Sequence, residues 1–266
     1  MFEQSTANRA ANARAAILAH FPDAVAASMM QGRSVAPTCK QSVSVFFADI
    51  DDYASLRGSL DPPVLLDMLE RLFHKLDRLA ALHGVERIDA IDGCYIAAAN
   101  FSRHQPADHA ARLARFAVAA VAAAATTAID PARPSLGGVR LRAGAHCGAV
   151  CGGVLGAHGG RKHTLVGDAV NVASRMQSHG AAGAAQCSAA FAAAVGAQGG
   201  AAGVRLAGRA GGVEVKGRGH MEVFWMEAEE TMEAVVEAGG AKGRLGEVRG
   251  ELPVYERPAG PVPLVY

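Results

Sequence analysis

The chain has no excess of either charge: 26 Lys and Arg stand against 25 Asp and Glu in 266 residues, a formal net charge of +1. That balance excludes the dense basic surface of a nucleic-acid binder and the polybasic patch of a membrane-surface protein. A secretory core is also missing, because Met1 to Arg14 is polar and lacks an apolar run followed by a cleavage site. Half of the residues are hydrophobic, but alanine supplies much of that share and buries little surface while favouring helix. The Ala-rich stretch from Ala107 to Ala128 is interrupted by Arg112, Arg115 and Thr126. It is therefore expected as a packed helix and not as a membrane span. Cysteine is sparse and odd in number: Cys39, Cys94, Cys147, Cys151 and Cys187. With no export signal, reduced thiols are expected. No further Cys or His completes a zinc spacing, so Cys147 and Cys151 are expected to be buried structural residues. From these absences a cytoplasmic chain is expected, and its length suits one domain plus extensions with enough residues to bury a core.

Against that background one stretch stands out. Residues 164–176 read Thr-Leu-Val-Gly-Asp-Ala-Val-Asn-Val-Ala-Ser-Arg-Met, which sets Asn171 and Arg175 four apart behind a glycine turn. On a helix that spacing brings an amide and a guanidinium to one face. An amide can orient a ribose, and arginine meets phosphate oxygens with a rigid, permanently charged fork. Taken alone, the same spacing fits a helix start with a solvated arginine. Upstream, Val43 to Leu56 is an apolar strand that runs into Asp49, Asp51 and Asp52. Carboxylates at the carboxyl end of a strand suit a hard divalent cation that bridges phosphates, although alone they also fit a polar turn.

Periodicity and turn residues order the rest. A helix is expected from Ala10 to about Met30, a strand over Val43 to Ala48, and a helix from Asp61-Pro62-Pro63 to His83. Ile88 to Ala99 reads as two strands turning at Asp92-Gly93, followed after Pro106 by the Ala-rich helix, a Pro/Gly loop over 130–138, and strands from Val139. Beyond Gln177 the Gly/Ala-rich chain reads as connections up to a hairpin of Val213 to Val215 with Glu222 to Met226. This gives an N-terminal helical segment (1–40), a folded domain (41–227) and a C-terminal tail (228–266). The β-α-β-β-α-β order of the centre predicts an α+β, ferredoxin-like sheet with helices packed on one face.

The strand with its aspartates, the Asn/Arg helix and Val-Lys-Gly-Arg-Gly at 215–219 together resemble the catalytic domain of class III nucleotide cyclases, the adenylate and guanylate cyclase family. The resemblance runs from about Phe21 to Met226 in the family's order. It implies attack of the ribose 3′-oxygen on the α-phosphorus of a purine nucleoside triphosphate, with pyrophosphate expelled. It further implies that Asp49 and the Ile50 carbonyl hold Mg2+ or Mn2+, that Asn171 orients the ribose, and that Arg175 stabilises charge on the α-phosphate. Arg142 and Lys216 fall where the family places cations for the terminal phosphates. Family sites form between two domains, so a homodimer or a cyclase heterodimer is implied, each partner holding half of a site.

Two departures matter. The family's hairpin turn reads Gly-Asp, its Asp being the second metal ligand, whereas this chain reads Ile91-Asp92-Gly93. Alignment puts Gly93 at the ligand position and leaves Asp92 to reach the ions from one residue away, against the alternation of strand side chains. The purine-selecting position carries Asp89, and its partner position carries Thr164. A carboxylate accepts from guanine N1–H and its amino group but not from adenine N1, so GTP is favoured over ATP. The Thr164 hydroxyl suits either base. Two alternatives stay open: an adenylate cyclase, and a weakened cyclase-homology subunit that needs a partner. A nucleotide-binding module without turnover is a third reading.

Overall fold

The computed structural model describes residues 23–33, 35–156 and 162–229. The first part of the helix expected from Ala10, and the tail beyond 229, lie outside the described residues. The elements are α1 (Asp23–Met30), β1 (Thr38–Ile50), α2 (Tyr53–Ser59), α3 (Pro62–His83), β2 (Glu86–Ile91), β3 (Cys94–Ala99), α4 (His109–Ala125), β4 (Leu141–Leu155), β5 (Lys162–Val166), α5 (Asp168–Ser178), β6 (Ala184–Ser188), α6 (Ala189–Ala197), β7 (Val204–Gly208), β8 (Val213–Val215), β9 (Gly219–Met221) and β10 (Val223–Ala228). The main sheet runs β2-β3-β1-β4-β6-β10-β7, with β5 added on β4. Neighbours among its first four strands are antiparallel, the ferredoxin-like order expected from β-α-β-β-α-β.

Local chemistry sets the helices. α3 starts on Pro62 and Pro63, where missing N–H groups cost nothing, and it stops at Gly84 in the left-handed region at φ 67°. Leu65, Met68, Leu72, Leu76 and Ala80 form its buried stripe. The alanines of α4 let it lie close to the sheet, and bulk comes from Phe116, whose ring meets Phe46 edge-on at 5.1 Å and lies 6.3 Å from Tyr95. Each buried aromatic removes far more apolar surface than an alanine, about 1.5–3 kcal/mol per side chain, so this trio anchors an otherwise small-residue core.

Alternation along β1 divides the molecule. Phe46, Ala48 and Ile50 point into the core with α3 and α4, whereas Val43 and Val45 pack with Ala169 and Ala173 of α5. The helices therefore cover both faces, not one as expected. The reason lies at Gly144 of β4, where an added Cβ would sit 2.0 Å from the Gln177 backbone nitrogen. Only glycine lets α5 rest on the strand there.

Three other expectations are corrected. The segment after Gln177 contains β6, α6 and β7, which the alanine-rich composition concealed. The hairpin expected between 213–215 and 222–226 does not form: β8 pairs with β9, while β10 inserts between β6 and β7. Nor are all thiols reduced, because register puts Cys39 and Cys151 opposite one another on β1 and β4, and they form a disulfide across a sequence separation of 112. Cys147 is half-buried and not enclosed.

Candidate active site

At its carboxyl end β1 delivers Asp49 between Cys94 of β3 and Arg142 of β4, its register partners on either side. These three side chains share the sheet face opposite α3 and α4. The Cys94 thiol donates to the Asp49 carboxylate, and it is pushed up to about 12 by burial first, then by Asp49 and, more weakly, by the Asp89 charge. Asp49 is half-buried, and Ile50 turns its side chain into the core. The Ile50 N–H donates to the Gly93 carbonyl at 3.0 Å, tying the strand end to the β2–β3 turn. Asp51 is already engaged, pairing with Arg140 at 3.0 Å and Arg142 at 3.3 Å. Arg142 keeps a buried Nε without a hydrogen-bond partner.

The turn departs from a two-carboxylate arrangement. Asp92 is exposed in the left-handed region at φ 52°, and Gly93 is buried. A Cβ on Gly93 would lie 2.8 Å from Cγ of Tyr53. Burial, then the Asp92 charge, raises the Tyr53 hydroxyl above its ordinary pKa. Among the described residues no group of three or more His, Cys, Asp or Glu is arranged to hold a metal. At the end of β1 the oxygen donors singled out from sequence are the Asp49 carboxylate and the Ile50 carbonyl, and the hairpin position facing them is Gly93, which carries no carboxylate.

A second set of groups lies on α5. Gly167 precedes the helix at φ 146°, and a Cβ there would approach the Ala149 carbonyl to 2.9 Å. Burial of Ala169, Val172, Ala173 and Met176 turns Asn171 and Arg175 outward. They line a cleft of about 450 Å³ together with Asp168, Val172, Lys216, Gly217 and Arg218. Arg218 forms an ion pair with Asp168, which ties the β8–β9 hairpin bearing Lys216 to the start of α5. Behind it, the His146 ring nitrogen lies 2.6 Å from the Ser188 hydroxyl. Burial, then the Arg218 charge, lowers His146 to about 4.

The third set joins β2 to β5. Asp89 Oδ1 accepts from the Ala90 N–H at 2.9 Å, and its Oδ2 meets Lys162 Nζ at 2.5 Å. His163 and Leu165 are buried, so Lys162, Thr164 and Val166 occupy the opposite side of β5. The ion pair therefore places Asp89 against the side of β5 that carries Thr164.

Of the residues singled out from sequence, Asn171, Arg175 and Lys216 share one cleft, Asp49, Ile50 and Arg142 share the end of β1, and Asp89 lies at the Thr164 strand. None of the β1 group lines the cleft. Asp92 joins none of the three sets. Sequence reasoning missed Arg218 and Lys162. Arg218 was visible as the second cation of Val-Lys-Gly-Arg-Gly, and Lys162 by period-two alternation from Thr164; their ion-pair partners were not.

Residues 35–228 match the adenylate and guanylate cyclase catalytic domain family. The chain is 29% identical to the rat guanylate cyclase soluble subunit beta-2 over 212 residues, 79% of this chain and 29% of that protein. It is 30% identical to a receptor-type guanylate cyclase of Caenorhabditis elegans over 216 residues, 79% of this chain and 18% of that one. The chain thus spans less than a third of these relatives' length. Among solved structures, the guanylate cyclase domain of a rhodopsin guanylyl cyclase from Catenaria anguillulae in complex with GTP matches with a TM-score of 0.64 at 28% identity, covering 73% of this chain and 100% of that one. A rhodopsin-guanylyl cyclase catalytic core with converted specificity, in complex with ATPαS, matches with a TM-score of 0.64 at 28% identity, covering 73% and 98%. A bacterial light-regulated adenylyl cyclase shares the fold, with a TM-score of 0.65 at 20% identity over 84% of this chain and 64% of that one.

Proposed function

The chain belongs to the adenylate and guanylate cyclase catalytic domain family, and from that premise we propose that it cyclises a purine nucleoside triphosphate, GTP in preference to ATP, at sites shared between two copies. The observation that carries this reading is the convergence of Asn171, Arg175 and Lys216 on one cleft that contains no carboxylate of the β1 end. Such a cleft binds a polyphosphate and a ribose but is half of a site, and a second copy contributes the Asp49 end. Domains of this family are generally dependent on divalent metal, and Asp49 with the Ile50 carbonyl would hold Mg2+ or Mn2+. When bound, the ion neutralises phosphate charge and favours ionisation of the ribose 3′-hydroxyl.

The protein's own groups do the remaining work by position and charge. Asn171 holds the ribose so that its 3′-oxygen faces the α-phosphorus, which replaces a costly search by a fixed approach. Arg175, one helical turn on, meets charge as it builds on the α-phosphate. Lys216 takes the terminal phosphates, and the Arg218–Asp168 pair keeps its hairpin against α5. Arg142 carries a second cation to the phosphates from the Asp49 side. The purified chain, assayed with Mn2+ and each triphosphate, is expected to release pyrophosphate and cyclic GMP faster than cyclic AMP. Equal or faster use of ATP overturns the guanine assignment.

Base choice rests on Asp89. A site whose polar groups match one base leaves the wrong base unpaired, typically about 1–3 kcal/mol per buried group. Asp89→Lys is therefore expected to shift the GTP:ATP ratio of kcat/KM toward ATP by about tenfold, and further with Thr164→Asp. An unchanged ratio places Asp89 away from the base.

One observation favours a second reading, a weakened subunit that works only with a partner: the hairpin carboxylate is displaced to exposed Asp92 while Gly93 packs on Tyr53. Restoring the family order by Asp92→Gly with Gly93→Asp is expected to gain nothing alone, because the new Cβ meets the Tyr53 ring. Adding Tyr53→Ala is expected to raise turnover and lower the Mn2+ concentration needed. Natural activity that disappears in Asp92→Ala would instead make Asp92 the second ligand.

A further inference from the structure

Asn171 and Arg175 are placed by α5, and much of what holds that helix has no direction. Its Val172 and Met176 pack against Val213, Val215 and Val223, around the hairpin that leads to Lys216. Apolar contact of this kind fixes what is buried but not the height or rotation of a helix. Direction comes from polar groups at the helix ends. At the start stands the Asp168–Arg218 ion pair. At the other end Gln186, which is 0% exposed, donates its amide to the Met176 carbonyl at 2.7 Å. Its Oε1 accepts from Arg209 Nη1 at 2.6 Å, and the same nitrogen donates to the His179 carbonyl at 2.7 Å. The Arg209 guanidinium lies over the Trp225 ring, 4.9 Å from its centroid.

Strand register builds this anchor. Gly144, Gln186 and Trp225 stand side by side across β4, β6 and β10, and Gly144 is where α5 rests on the sheet. Arg209 follows β7 directly, with its N–H donating to the Val223 carbonyl at 2.9 Å, and β8 begins four residues later. One side chain thus joins the carboxyl end of α5 to the root of the Lys216 hairpin. We propose that Arg209 is a positioning residue for cyclisation: it fixes α5 against the hairpin so that Asn171, Arg175 and Lys216 engage one triphosphate together. This rests on the cyclase reading above. The α- and terminal phosphates of one nucleotide are a set distance apart, so the helix and the hairpin must match that distance. A loosened helix still lets each group bind its part of the substrate in turn. It loses the fixed approach of the 3′-oxygen to the α-phosphorus, which lowers kcat more than it raises KM.

The test uses the full chain with Mn2+ and GTP, each variant being assayed well below its thermal midpoint. Arg209→Met keeps an apolar stem and removes both donations. It is expected to lower kcat about tenfold and to change KM by less than about twofold. Arg209→Lys keeps a charged donor without the planar fork and should fall only about threefold. The deciding measurement repeats Arg209→Met in the Arg175→Ala chain. There it should cost less than about twofold, because a group that acts through α5 has little left to position. A loss of folded protein would instead lower kcat by the same factor in both backgrounds, and that result overturns the proposal. So does an unchanged kcat, or a change confined to KM. Should Arg209→Met fail to fold, Arg209→Lys in the two backgrounds is read in the same way. Turnover that Arg175→Ala abolishes but Arg209→Met spares overturns the role of Arg209 alone. A natural chain without turnover, or one that Arg175→Ala leaves fully active, overturns the cyclase reading and this role with it.

Discussion

Alanine at Asn171 or at Arg175 is expected to lower cyclic-nucleotide formation by about a hundredfold or more, the usual scale for removing one preorganised group that meets developing charge. The fold should be indifferent to either change. Both side chains lie outside the buried set of α5, which consists of Ala169, Val172, Ala173, Met176 and Gln177. Substitutions on such a face usually alter stability by less than about 0.5 kcal/mol. The pair of measurements is the initial rate of pyrophosphate release at saturating triphosphate and the thermal unfolding midpoint. Near-normal rates with an intact midpoint would remove both residues from the chemistry. A shared fall in rate and midpoint would make them structural.

Mixing two dead variants is expected to revive activity. Asp49→Ala spoils the β1 end and leaves α5 untouched; Asn171→Ala does the reverse. In a head-to-tail homodimer each site takes one set from each copy, so a mixed dimer has one site with both defects and one with none. Random exchange makes half of the dimers mixed, and recovery should approach about a quarter of the natural rate. The sheet gives a reason to expect both variants to fold. Asp49 is half-buried and ends its strand, and its main side-chain partner is the Cys94 thiol, a weak donor. Absence of recovery, in a mixture shown by light scattering to be dimeric, would sink the shared site. Recovery only on adding a different cyclase chain would favour the heterodimer reading instead.

Much of this molecule was legible from residue order. Prolines at 62 and 63 opened α3 because their effect is local to the backbone. The hairpin turn at Asp92-Gly93 was likewise readable, since that dipeptide tolerates the left-handed backbone found there at φ 52°. The stretch from β6 to β7 was not readable, because alanine satisfies helix, strand and connection alike and leaves no period to count. The pairing of β10 with β6 and β7 was missed for a different reason: several partners for a three-stranded end look equivalent until the sheet is assembled.

The sequence by itself determined which residues stand four apart on α5, which carboxylates end β1, and which turn carries glycine where the family carries aspartate. These are properties of chain order, helical and strand period and backbone sterics, all of which act over a few residues. Only the tertiary structure decided what each charge faces. Asp51 is held by Arg142 from 91 residues away, Asp89 by Lys162, Asp168 by Arg218, and Cys39 by Cys151. Such partners follow from strand register and from which sheet face α5 covers. Register is fixed by burying one face of every strand at once, a collective constraint with no local signature.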